Sequence, residues 1–180
     1  MTSNTEDRQN AALRCHRQPR PGRLEGKTSK PLTNQSEPAL VDPPEGAAAC
    51  SVIAVDPAQT TELTVRGNLV TIRTAVLGLG NIGPLASKLA MEGKAVLFKN
   101  FVDIDVFDIE IKANTSDSVV EIIDALDSAF GGVNLEEING PECFEIEAQL
   151  NDRINIPVFH DDQHGPAIIV GAAASRGIRA

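Results

Sequence analysis

At 180 residues, 42% of them hydrophobic, the chain can bury one ordinary core and little more, so a single domain is expected. With no Trp, no Tyr and only 3% aromatic residues, that core must come mainly from Ile, Val, Leu and Ala, which favours α/β over an all-β sandwich. The formal net charge of −9 is uneven: residues 1–33 carry seven Lys/Arg against three Asp/Glu, and residues 101–165 carry two against sixteen, an acidic body that argues against nucleic acid and suits a cation.

The opening, through residue 33, is rich in Pro, Gly, Ser and charge and is expected to be extended or disordered, leaving 34–180 as the folded domain. Residues 47–65 read as one or two helices interrupted at Asp56-Pro57. "TAVLG" reads as a strand, and it runs into Gly78-x-Gly80-x-x-Gly83, the spelling of a dinucleotide fingerprint. That spelling is weak by itself, because any sharp strand-to-helix turn benefits from glycines at those offsets. "PLASKLAMEGKAVLFKNF" then reads as helix, "DVFDIEI" as strand, and "SDSVVEIIDALDSAF" as a helix opened by a Ser/Asp cap, with Val119, Ile122, Ile123 and Leu126 on one face. "GVNLEEI" is a strand, "PECFEIEAQLNDRI" a helix with proline in its first turn, "PVFHD" a strand and "GPAIIVGAAASRGI" a helix. The order βαβαβαβα predicts a parallel sheet with right-handed crossovers. Cys15, Cys50 and Cys143 are widely spaced with no CxxC, which implies neither a disulfide framework nor a zinc site. The longest apolar stretches, such as "AIIVGAAA", are too short for a bilayer, so no membrane partner and a cytoplasmic protein are expected.

In an open parallel sheet, ligands sit beyond the carboxyl ends of the strands. Glu136-Glu137 ends one strand and Asp161-Asp162 the next, so two acidic pairs reach the same rim, where something positive must offset their repulsion. An all-oxygen donor set suits Mg²⁺ or Mn²⁺ better than Zn²⁺; ordinary capping or surface charge is the alternative. His160 and His164 flank the acidic pair at one and two residues, a spacing that suits shaping the loop more than ligation. Lys94 interrupts an apolar stripe, with Met91, Ala95 and Phe98 beside it. Either it snorkels to solvent, or it is partly buried with a lowered pKa and serves as a general base. Lys88 and Lys99 occupy other faces and read as surface residues.

"RGNLV", "TAVLGLGNIGP", "MEGKAVLFK", "DVFDIEI", "FGGVNLEEI", "PECF" and "NIPVFHDDQHG" resemble the N-terminal, malate-binding half of bacterial-type malic enzymes, in the family's order, over residues 17 to 180. The resemblance implies NAD(P)-dependent oxidative decarboxylation of malate to pyruvate and CO₂ with Mg²⁺ or Mn²⁺, in a homodimer. It implies that the glycine loop belongs to the substrate domain and that the nicotinamide is held by a separate domain further along the family's chain. On that expectation the sequence is a truncated piece, incomplete at its C-terminal end and inactive alone. Asp103, the alternative ribose-binding acid, is then a solvent-facing strand residue. By the same resemblance Glu136, Glu137 and Asp162 match the metal ligands, Lys94 the lysine that takes the malate C2 hydroxyl proton, and Asp161 the carboxylate beside it.

Three positions depart from the pattern. Asp42 stands where the family carries the tyrosine that acts as final acid, and an aspartate is shorter and normally ionised at neutral pH. "TIR" stands between "RGNLV" and "TAVLG", and a few residues usual there are lacking. Pro166 replaces a threonine beside the acidic loop, removing a hydroxyl and an N–H. Two other readings stay open: a non-catalytic fragment or regulatory subunit that associates with a full-length relative, and a free-standing dinucleotide-binding module.

Overall fold

The computed structural model describes residues 2–19, 21–30, 47–75, 83–113 and 115–177. Gly78, Gly80 and Asp42 lie outside the described residues, as does most of the glycine loop. The described residues form four strands, β1 Leu69–Ala75, β2 Asp105–Ile111, β3 Gly132–Glu136 and β4 Val158–His160. Seven α-helices accompany them among those residues: α1 Thr2–Arg17, α2 Ala47–Val55, α3 Thr60–Leu63, α4 Pro84–Val102, α5 Ser116–Asp124, α6 Glu142–Arg153 and α7 Asp161–Gly177. The strands pair in the order β2-β1-β3-β4, all parallel, as the alternation predicts.

The β1 register places Thr74 opposite both Glu110 and Glu136, so the carboxyl ends of the three strands are level. One further strand along, Leu135 stands opposite His160. Strand periodicity then sorts the side chains to two faces. Ile72 and Val106 pack with Met91 and Ala95 of α4 on one face. Leu69, Ile111, Val133 and Leu135 join Val119, Val120 and Ile123 of α5 and Ile146 and Leu150 of α6 on the other. Ile122, expected on the buried face of α5, is 36% exposed, and Val120 takes its place with no exposure.

Several boundaries differ from the sequence reading for local reasons. The strand expected as "TAVLG" is Leu69–Ala75, because β1 extends upstream through "LVTIR". The opening segment is helical over Thr2–Arg17, where an extended chain was expected. Arg14, His16 and Arg17 in its last turn favour the negative end of the helix dipole. The chain after it crosses to α4, where the Arg23 amide donates to Glu92 Oε2 at 2.9 Å. Thr115 rather than Ser116 caps α5, its side chain accepting from the Ser118 amide. Asp103 is not a strand residue: it is the left-handed cap of α4 at φ 55°, paired with Lys99 at 2.6 Å. At the entry to β3 only glycine is tolerated at residue 131, since a Cβ there would collide with the Arg66 carbonyl oxygen.

One strand residue contradicts its surroundings. Arg73 is 1% exposed on the apolar α5–α6 face, its guanidinium 5.3 Å from the centre of the Phe130 ring. None of its three guanidinium nitrogens has a hydrogen-bond partner among the described residues. Burial pulls its pKa down to about 10. Arg73 is the last residue of the "TIR" segment that precedes "TAVLG".

Candidate functional site

The site lies where β3, β4 and the start of α7 meet the side of α4. Glu136 is the last residue of β3 and is buried, with the side chain of Asn134, also buried, donating to its Oε1 at 2.8 Å. Glu137 follows at φ 53°, a left-handed conformation that turns the chain away from the sheet. Its amide donates to Asp162 Oδ2 at 2.8 Å, which ties the end of β3 to α7.

The last helix begins four residues earlier than its sequence pattern indicates, at Asp161. Asp161 and Asp162 therefore occupy its first turn, where the exposed amides and the helix dipole favour negative charge. Pro166 accordingly falls inside the helix rather than in its first turn. It removes the N–H that would have bonded the carbonyl of Asp162.

Lys94 reaches this rim from the middle of α4. Its Nζ lies 2.5 Å from Asp161 Oδ2 and 3.0 Å from Glu136 Oε1, with 27% of its side chain exposed. Burial by itself would lower the Lys94 pKa. The hydrogen bonds and charges of Asp161 and Glu136 outweigh it, so the pKa is raised rather than lowered as a buried lysine was expected to show, and Lys94 rests as an ammonium. Glu136 is pushed up by burial, only partly opposed by Lys94 and Asn134. Glu137 is also pushed up, by burial and then by the charge of Asp162. The repulsion anticipated between the two acidic pairs is thus offset by an ammonium and a helix N-terminus.

One oxygen each from Glu136, Asp161 and Asp162 lie within 4.8 Å of one another, a spacing that fits a hard divalent cation. This set contains Asp161 where the sequence reading placed Glu137, whose amide rather than its carboxylate reaches Asp162. The fit is chemical as well as spatial, because the three groups offer only carboxylate oxygens, the donors a hard cation takes, and burial of Glu136 makes positive charge beside it favourable.

His160 ends β4 and His164 lies in the first turn of α7, so neither stands in a loop. His160 is 1% exposed and its Nδ1 accepts from the Gln163 amide at 3.3 Å. His164 Nε2 donates to both oxygens of Glu147, at 2.8 and 3.0 Å. Lys88, read as a surface residue, is 2.6 Å from Asp108 and 3.7 Å from Glu110 on β2. Sequence reasoning missed Asn134 and Glu147. A signal was present for Glu147, a carboxylate on the face of α6 that also carries Cys143, Ile146 and Leu150.

Among the described residues no helix is long and apolar enough to cross a membrane. Residues 22–118 match the family described as malic enzyme, N-terminal domain, a span that contains Lys94. The chain is 58% identical over 170 residues to an NAD-dependent malic enzyme of Rhizobium meliloti (strain 1021), covering 93% of this chain and 22% of that one. It is 53% identical over 172 residues to an NADP-dependent malic enzyme of Escherichia coli (strain K12), covering 94% of this chain and 23% of that one. The chain thus spans less than a quarter of either curated relative. The crystal structure of an NAD-dependent malic enzyme from Thermotoga maritima superposes with a TM-score of 0.86 at 40% identity, over 93% of this chain and 48% of that one.

Proposed function

Because the chain belongs to the malic enzyme family, through its N-terminal domain, we propose that it forms the malate- and metal-binding half of a site for NAD(P)-dependent oxidative decarboxylation of malate to pyruvate and CO₂. The observation that supports this most directly is Lys94, held between Asp161 and Glu136 beside the carboxylate cluster.

Glu136, Glu137 and Asp162 would hold Mg²⁺ or Mn²⁺, leaving Asp161 to Lys94, whose ammonium already engages its Oδ2 at 2.5 Å. When bound, the cation would act as a Lewis acid, lowering the cost of negative charge on the malate C2 oxygen. NAD(P)⁺ would supply the acceptor for the C2 hydride, and Lys94 would take the C2 hydroxyl proton. To do so it must first give up its own proton, and what retains that proton is the charge of Asp161 and Glu136. A cation held by Glu136 would weaken that hold, and burial of Lys94 favours the neutral amine. The β-carboxylate would then depart as CO₂, its bonding pair remaining as an enolate that takes a proton at C3 from water.

Calorimetry of malate binding to the chain tests the reading. Heat is expected with Mn²⁺ present and none in its absence, and malate binding that ignores Mn²⁺ would overturn the assignment. In a chimera in which this chain, with Asp42→Tyr, replaces the corresponding segment of the Rhizobium meliloti relative, Lys94→Ala should lower turnover roughly 10²-fold or more, the usual scale for a positioned acid or base. Lys99→Ala, on the solvent side of α4, should leave turnover unchanged.

A further inference from the structure

Glu147 is an anomaly on α6. It is 9% exposed and shares its helix face with Cys143, Ile146 and Leu150, so burial of its carboxylate must be compensated. The compensation comes from a single segment. The His160 amide donates to Oε1 at 3.2 Å, and His164 Nε2 donates to Oε1 at 2.8 Å and to Oε2 at 3.0 Å. His160 is the last residue of β4 and His164 lies in the first turn of α7. Asp161 and Asp162 sit between those two grips.

We infer that Glu147 is a positioning residue that fixes the strand-to-helix turn carrying Asp161 and Asp162, and so sets the geometry of the carboxylate cluster from a helix that contributes no group to it. This rests on the metal reading above. The grip spans the turn from both sides: it anchors one main-chain amide before the acidic pair and one side chain after it. Without Glu147 the turn keeps the Gln163 amide to His160 Nδ1 bond and the Glu137 amide to Asp162 bond. Both are made within the turn or to β3, and neither ties it to α6. A carboxylate that orients metal ligands from behind typically changes metal affinity by 10- to 100-fold when lost.

The test uses the full chain, with Mn²⁺ as probe and its free-ion electron paramagnetic resonance signal as readout. Glu147→Leu removes both grips while remaining compatible with the apolar face, whereas Glu147→Gln retains an acceptor for the His160 amide and removes the charge. Leu is expected to weaken Mn²⁺ about tenfold, Gln no more than about threefold, and hydrogen exchange across residues 157–165 should accelerate in Leu alone. Wild-type affinity and exchange in Glu147→Leu would overturn the inference. Equal losses in Leu and Gln would overturn it too, since they would mean that Glu147 acts through its charge. If wild type takes up no Mn²⁺, the metal reading fails by itself, and the exchange comparison still decides whether Glu147 holds the turn. Should Glu147→Leu not fold, His164→Leu removes the far end of the same grip at a half-exposed position. Faster exchange across 157–165 is then expected, and unchanged exchange would overturn the inference.

Discussion

Lys94 and Asp161 stand 67 positions apart in the chain, and their charged groups meet at 2.5 Å, joining the middle of α4 to the first residue of α7. The contact explains why a half-buried lysine keeps its proton. Asp161→Asn should therefore lower the Lys94 pKa, since burial would then oppose only Glu136. Competitive amine labelling read by mass spectrometry should show Lys94 reacting several-fold faster at pH 9 in the variant, with Lys99 as internal standard. Equal labelling in both proteins would mean that Asp161 does not hold the proton.

The assignment of the metal ligands separates two neighbouring aspartates. Mn²⁺ should raise the thermal midpoint saturably, because a cation that binds only the folded state stabilises it. Asp162→Asn and Glu137→Gln should each remove most of that rise, while Asp161→Asn should retain at least half of it. If Asp161→Asn abolishes the shift and Glu137→Gln does not, the ligands are Glu136, Asp161 and Asp162, the set that already converges within 4.8 Å.

Glu136 gives metal-free stability a pH dependence of definite sign. Its folded pKa is raised above the ordinary 4.5, so the folded state binds that proton more tightly than the unfolded chain does. The stability it contributes is complete below 4.5 and is lost as pH rises through the raised folded value. Glu136→Gln, which cannot ionise, should match wild type near pH 4.5 and exceed it at pH 7.5 in urea midpoints. A variant less stable than wild type at pH 7.5 would show that the Lys94 pair outweighs burial.

Arg73 is expected to destabilise the fold it sits in. Arg73→Val replaces a guanidinium that has no hydrogen-bond partner among the described residues, on an apolar face, with a strand-favouring side chain and should add about 1–3 kcal/mol, the scale of a buried polar group left unsatisfied. Burial disfavours the charged guanidinium, so the advantage reflects the cost of keeping that charge away from water. Urea denaturation of the two proteins at pH 7 checks the sign and size of the difference. A destabilised Arg73→Val would mean that the contact with Phe130 is worth more than the lost solvation.

Much of the architecture was legible before any coordinates, because hydrophobic periodicity is a local property of the chain. The alternation in "DVFDIEI" and the turn-and-helix pattern of "PLASKLAMEGKAVLFKNF" are fixed by neighbours two to four residues away, whereas "GVNLEEI" and "PVFHD" read as strands that run past Glu136 and His160, where β3 and β4 end. Given parallel strands, the meeting of the two acidic pairs at one rim follows from topology alone. The resemblance drew Lys94 to that rim as well, but whether its proton is loosely or tightly held depends on two carboxylates delivered by other elements, and only the fold counts those. The start of α7 was equally out of reach: "HDDQHG" reads as a polar loop until Glu147, from another helix, grips both of its ends. Arg73 shows the same limit from the other side. Its charge is plain in the sequence, but that the strand turns it inward, against Phe130 and away from every hydrogen-bond partner described, is decided by register, which no single segment contains.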